Sequence, residues 1–130
     1  MIRVAVSNVY VDDQEKALRF YTEALGFEKR QDVPLGTARW LTVGPPGGDE
    51  HAVDLLLEPT DNPVAREYQK GLFRQGIPAL ALAVDDLAAE YARLTGLGVV
   101  FTTPPTTNGA LTTAVFDDTC GNLVTLAQRS

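Results

Sequence analysis

Apolar positions along this chain follow a strand period and then a helix period, and the alternation is written twice. Residues 2–11 are β-branched and apolar, which predicts a first strand. Asp12 then stands three positions before Glu15, the spacing of a capping box that satisfies the orphan amide hydrogens of a helix start. Ala17, Phe20, Tyr21, Ala24 and Leu25 recur at helical spacing and predict the buried stripe. Gly26 follows as the expected left-handed terminator. Three more strands are expected around 27–32, 37–43 and 52–58, the last two separated by the turn "GPPGGDEH".

The second half repeats the order. A strand at 78–84 leads to a helix capped by Asp85 or Asp86 and carrying Leu87, Tyr91 and Leu94. Strands at 97–101, 111–116 and 122–128 follow, with "TTPPTTNG" read as a loop. Val84-Asp85-Asp86 stands 73 positions after Val11-Asp12-Asp13, and Leu97-Gly98-Val99 stands 72 after Leu25-Gly26-Phe27. Between the halves, Pro63 suits the first turn of a helix on which Val64, Tyr68 and Leu72 share a face. That face is expected to pack on its own domain, the alternative being an arm onto a second subunit. The organisation is then a single α+β domain over 1–130: module 1 (1–58), a connecting helix (59–77) and module 2 (78–130).

Composition narrows the function classes. A hydrophobic share of 45% with 22% charged residues is globular, and 130 residues suffice for one core. Eleven basic against seventeen acidic residues give a net charge of −6, which argues against nucleic acid or an anionic membrane as partner. The single cysteine, Cys120, excludes an intrachain disulfide and a cysteine-rich zinc site. The start "MIRVAVSNVYV" lacks a basic stretch followed by a continuous apolar run, so no signal peptide is expected. Residues 94–116 are uncharged, but their Thr, Pro and Gly content reads as strand, loop, strand rather than a membrane span. A soluble cytoplasmic protein is expected.

Two βαβββ units in this length resemble the vicinal oxygen chelate superfamily, the group of lactoylglutathione lyase, extradiol dioxygenases and the bleomycin and fosfomycin resistance proteins. The residues that carry the resemblance are "YVDDQEKALRFYTEALGFE", "RWLTVGPPGG" and "FDDTCGNLVTLAQ". It implies eight strands curled into a half-open, barrel-like cup with the helices outside. Alternation along the strands would then turn Val6, Asn8, Tyr10, Trp40, Thr42, Asp54, Leu56 and Glu58 inward in the first module. Ala79, Ala81, Ala83, Thr113 and Val115 would face inward in the second.

Metal-dependent relatives place His, Gln or Glu ligands on the first and last strand of each unit. Counted from the helix caps, the matching positions are Val6, Asp54, Ala79 and Thr125. One carboxylate among Val, Ala and Thr falls short of the three protein ligands that a catalytic metal generally needs. His51, the only histidine, lies by the turn and three residues before Asp54, on the opposite side of an alternating strand. No metal or other cofactor is therefore expected.

Asn8, Tyr10, Trp40, Asp54, Thr113 and Thr125 are the candidate ligand-binding residues. Trp40 and Tyr10 either stack on a planar ligand or fill the core. Asp54 is the candidate catalytic residue, as a general base, or else a counter-ion for a cationic ligand or simply a solvated or hydrogen-bonded strand residue. Cys120 has no partner histidine and is not a candidate nucleophile. The reading favoured is a metal-free small-molecule binding protein of the glyoxalase/bleomycin resistance type, for sequestration or resistance, and a homodimer. The alternatives are a glyoxalase- or dioxygenase-type enzyme with an atypical site, and an interaction module whose cup is filled by its own side chains.

Overall fold

Each half of the sequence builds its own four-stranded sheet with a helix laid over one face. The computed structural model describes residues 1–48 and 52–130, and the chain divides into two compact units, Met1–Arg66 and Glu67–Ser130. In the first, β1 (Val6–Val11) leads to α1 (Gln14–Arg19), which continues as a π turn over Phe20–Ala24, and then to β2 (Glu28–Leu35), β3 (Ala38–Gly44) and β4 (Asp54–Pro59). The strand order is β1-β4-β3-β2, with β1 parallel to β4 and the other neighbours antiparallel. A helix, α2 (Pro63–Arg74), leads into the second set: β5 (Leu80–Ala83), α3 (Leu87–Gly96), β6 (Phe101–Asn108), β7 (Leu111–Asp117) and β8 (Leu123–Arg129). Its order, β5-β8-β7-β6 with β5 parallel to β8, repeats the first. The fold is α+β, two βαβββ modules, as the sequence implies. Among the described residues no helix is long and apolar enough to cross a membrane.

The helix caps account for a detail of the repeat. Asp13, rather than Asp12, caps α1: its carboxylate accepts the Lys16 amide hydrogen at 3.0 Å, and Asp12 instead pairs with the Lys16 ammonium at 2.9 Å. Asp86 caps α3 in the same way, accepting from the Ala89 amide at 3.1 Å. Both helices end at a glycine with positive φ, Gly26 at 87° and Gly98 at 90°, a conformation without strain only where there is no Cβ. The caps are 73 positions apart and the glycines 72, so the first helix holds one more residue. The π turn absorbs it, with the Leu25 amide reaching back to the Phe20 carbonyl at 3.2 Å.

Under α1 the first core is built from Val9, Val11, Ala17, Tyr21, Leu41, Val43 and Leu57, all buried. Gln14 docks the helix on the sheet: its amide donates to the carbonyls of Arg39 and Leu57, both at 2.8 Å, and its oxygen accepts from the Arg39 amide at 3.2 Å. The Arg39 guanidinium extends this link, meeting Asp32 and Glu15 at 2.7 Å each. The second core gathers Leu87, Leu94, Ala114, Phe116, Val124 and Leu126. Tyr91, Phe101 and Phe116 pack edge to face along it, with centroids 4.6 and 5.6 Å apart.

Two expectations are corrected. The strand expected at 97–101 lies instead at Phe101–Asn108, over most of the segment read as a loop. β6 is an edge strand whose pairing with β7 shifts between Phe101 and Thr103 and again between Thr103 and Thr106. Pro104 and Pro105 fall in that break, where a missing N–H costs no ladder bond, and the β-branched threonines favour the extended chain. In α2 the buried side chains are Ala65 and Gln69, whereas Val64 is 78% and Tyr68 59% exposed. A polar anchor sets this rotation: the Gln69 amide donates to the Cys120 carbonyl at 3.0 Å and to Asn122 Oδ1 at 3.2 Å.

That anchor rests on the turn between β7 and β8, which is organised by the buried Asp118. Its Oδ1 accepts from the amides of Cys120 and Asn122 at 2.7 and 3.0 Å, and its Oδ2 from Asn122 Nδ2 at 2.8 Å. Asp118→Ala removes the carboxylate that accepts these three buried hydrogen bonds and should lower stability by about 2–4 kcal/mol in urea unfolding. A loss no larger than that of a surface substitution would contradict the role given to this turn. The Arg39–Asp32 pair predicts a pH dependence. Hydrogen bonding from Arg39, with further pull from Lys29, lowers the Asp32 pKa from 3.8 to about 2. A carboxyl depressed by folding stabilises the protein above the unfolded pKa and loses that contribution as pH falls through the folded one. The excess stability of the native chain over Arg39→Gln should therefore shrink between pH 3.8 and about 2, followed by thermal melts at stepped pH. A difference constant through that window would refute it.

Candidate functional site

The face of the first sheet opposite α1 carries the candidate chemistry. Register pairs Val6 with Asp54, Asn8 with Leu56 and Tyr10 with Glu58, while Thr42 lies beside Leu56. Alternation adds Trp40, two residues from Thr42 on β3. Thr42 and Leu56 are buried at the centre, Asn8 is exposed, and Tyr10, Trp40 and Asp54 are half-buried around them. Four of the six residues singled out from sequence thus share one face. Trp40 is held by its edge, its indole N–H donating to Gln31 Oε1 at 2.9 Å, and the backbone N–H of Gln31 donates to the Thr42 hydroxyl at 3.1 Å.

Arg30 also belongs to this face, and sequence reasoning missed it. The pairing of β2 with β3 skips between Lys29 and Gln31, and the irregularity directs the Arg30 side chain onto the sheet. Its Nε lies 3.9 Å from Asp54 Oδ1, and its Nη2 donates to the Pro45 carbonyl at 2.6 Å. Gly44 makes room for it, since a Cβ there would stand 2.7 Å from Arg30 Nε and 3.0 Å from Asp54 Oδ1. Asp54 accordingly has a counter-charge from its own chain. The glycine was visible in the sequence, but the bulge that gives it meaning depends on the partner strand.

In the second sheet the face opposite α3 is lined by small residues. Ala81 pairs with Thr125 and Ala83 with Ala127 across β5 and β8, while Val115 and Thr113 of β7 lie beside Thr125 and Ala127. Thr113 and Thr125 are therefore near neighbours on the face of the second sheet. The two modules match position by position when counted from Asp13 and Asp86. Asn8 becomes Ala81, Tyr10 becomes Ala83 and Trp40 becomes Thr113, and strand register matches Glu58, the partner of Tyr10, with Ala127, the partner of Ala83. Where the first module places large side chains, the second leaves a cavity of about 540 Å³, lined by Ala81 to Asp85, Leu111, Ala127 and Arg129.

Strand pairing also revises the metal-ligand positions. Val6 pairs with Asp54, and its counterpart Ala79 donates its amide hydrogen to the Leu123 carbonyl at 2.9 Å. Leu123, not Thr125, thus matches Asp54, while Thr125 belongs beside Ala81. With Val6, Ala79 and either Thr125 or Leu123 as its companions, Asp54 is a single carboxylate with an arginine against it, and this donor set does not fit a divalent cation. Among the described residues no three His, Cys, Asp or Glu side chains cluster closely enough to hold an ion. His51 lies outside the described residues.

Comparison with known proteins places this architecture. The model of the Glyoxalase/Bleomycin resistance protein/Dioxygenase superfamily matches residues 3–126. The uncharacterised protein YurT of Bacillus subtilis is 50% identical over 128 residues, covering 98% of this chain and all of YurT. Among solved structures, UcmS2 superposes with a TM-score of 0.82 at 36% identity over 98% of each chain. TnmS3, an antibiotic binding protein from Streptomyces sp. CB03234, gives 0.77 at 34% identity over 100% of this chain and 98% of its own. With its two βαβββ modules and a family match over nearly its whole length, this chain belongs to the Glyoxalase/Bleomycin resistance protein/Dioxygenase superfamily.

Proposed function

We propose that this protein binds a small, flat organic molecule without a metal ion, over the open face of the first sheet, and acts by sequestering it. The observation that carries the reading is the setting of Trp40. Its one polar atom is engaged by Gln31, so the indole is fixed by its edge and offers a π surface to a planar ligand. Tyr10 adds a second ring to the same face, and Asn8 and Asp54 supply hydrogen-bonding groups at its margin. The likeness to an antibiotic binding protein supports an organic ligand of this kind. The metal-free character rests on Val6, Ala79 and Thr125 at the positions that the resemblance assigns to donors, with the apolar Leu123 at the position that pairs as Asp54 does. Arg30 beside Asp54 supports a structural carboxylate over a general base. The net charge of −6 supports a partner other than nucleic acid, and a cytoplasmic homodimer belongs to the same proposal.

Trp40 is the only tryptophan, so its fluorescence reports directly on this face. Titration with a panel of aromatic antibiotics should give saturable quenching for at least one compound, and Trp40→Leu should weaken its binding about tenfold or more, measured by calorimetry. Absence of quenching and of any thermal shift across the panel would overturn the reading. After dialysis against zinc, nickel, iron and manganese, elemental analysis should find far less than one ion per chain. A stoichiometric ion that disappears in Asp54→Asn would overturn the metal-free part and return the site to metal chemistry.

A further inference from the structure

Rotation of α2 onto its polar anchor leaves a specific pattern facing outward. Gln69 is bonded to Cys120 and Asn122, and at about 100° per residue Glu67, Gly71 and Arg74 form the row on the opposite side of the helix. Glu67 and Arg74 are exposed. They lie two turns, about 10 Å, apart, beyond the three- or four-residue spacing at which helix side chains pair. Neither side chain has a hydrogen-bond or ion-pair partner among the described residues. Gly71 lies between them. Nothing stands within 4 Å of the place a Cβ would take there, so packing among the described residues does not call for glycine, which weakens a helix interior relative to alanine. Val64 and Tyr68, exposed and one turn apart, run along one side of the row.

Opposite charges set evenly about a small residue make this row its own complement. Laid antiparallel on a second α2 and pivoted between Lys70 and Gly71, the helix brings Glu67 against Arg74 of the second copy and Arg74 against Glu67 of the second copy. Two-fold symmetry repeats the contact, so each copy satisfies both charges at once. A parallel second helix would instead set like charges side by side. Gly71 stands at the crossing, where a missing side chain lets two helices approach closely. The same symmetry keeps Tyr68 of both copies on one side of the crossing and Lys70 of both on the other. We propose that the outer face of α2 docks a second copy of this chain, in an antiparallel pair held by two Glu67–Arg74 contacts about Gly71. This rests on the homodimer proposed above and names the surface that forms it. A helix of 12 residues offers about 18 Å of contact, so the pair belongs with the smaller, dissociable interfaces.

Sedimentation equilibrium over a series of protein concentrations tests this surface by exchanging its charges. The native chain should dimerise reversibly. Glu67→Arg and Arg74→Glu each replace both attractive contacts by repulsive ones, and each should weaken self-association about tenfold or more. The double variant Glu67→Arg/Arg74→Glu restores both contacts with their signs exchanged and should regain native association. Mixed in equal amounts, the two single variants should pair with each other in preference to themselves. Both charged side chains are exposed, so these variants should melt as the native chain does. Gly71→Leu should weaken association without lowering the melting temperature, because leucine is the better helix former. A dimer unmoved by either reversal or by Gly71→Leu, or a double variant no better than the singles, would overturn α2 as the surface and leave the homodimer to another face. A native chain monomeric throughout would overturn both.

Discussion

The parallel pairing of each module's first strand with its last is the contact on which the rest of the structure depends. Parallel neighbours cannot be joined by a tight turn, so the chain must cross over the sheet before returning. In both modules a capped helix makes that crossing and commits one face of the sheet to its own apolar stripe. The opposite face is left for other chemistry. Register then decides which side chains meet there: Val6 with Asp54 and Tyr10 with Glu58 in one module, Ala81 with Thr125 and Ala83 with Ala127 in the other.

Polar contacts refine what apolar burial leaves open. A helix with a broad apolar stripe can rotate or slide on a sheet at little cost, because hydrophobic contact is not directional. Gln14 removes that freedom for α1 through bonds to two strands, and Gln128 Oε1 accepts the Leu87 amide hydrogen at 2.7 Å to fix the start of α3. Gln69 does the same for α2 by reaching the turn that Asp118 organises. The last case overrides the apolar pattern outright, leaving Val64 and Tyr68 exposed.

The open faces show how a doubled scaffold acquires two chemistries. Tyr10, Glu58 and Trp40 occupy positions that Ala83, Ala127 and Thr113 hold in the second module. The first face is consequently aromatic and polar, with Asp54 matched by Arg30, and the second is lined by small residues. Both modules have the same backbone frame, and only side-chain volume and charge differ. The family's scaffold accommodates such changes because the open face bears little of the core.

Local period and punctuation were enough to determine the repeat, the capped helices, their terminating glycines and the inward or outward sense of most strand residues. These are properties of neighbours two to four residues apart, and they survive in any single sequence. The shift of the repeat from 73 to 72 even recorded the extra residue of the π turn, although not the form it takes. The tertiary structure alone decided where partners lie far apart in the chain. It made an edge strand of the Thr–Pro segment, brought Arg30 to Asp54 through a bulge, moved the counterpart of Asp54 from Thr125 to Leu123, and turned α2 by its glutamine. Each depends on which strand or turn lies alongside, and a pairing partner tens of residues away leaves no mark in the local pattern it completes.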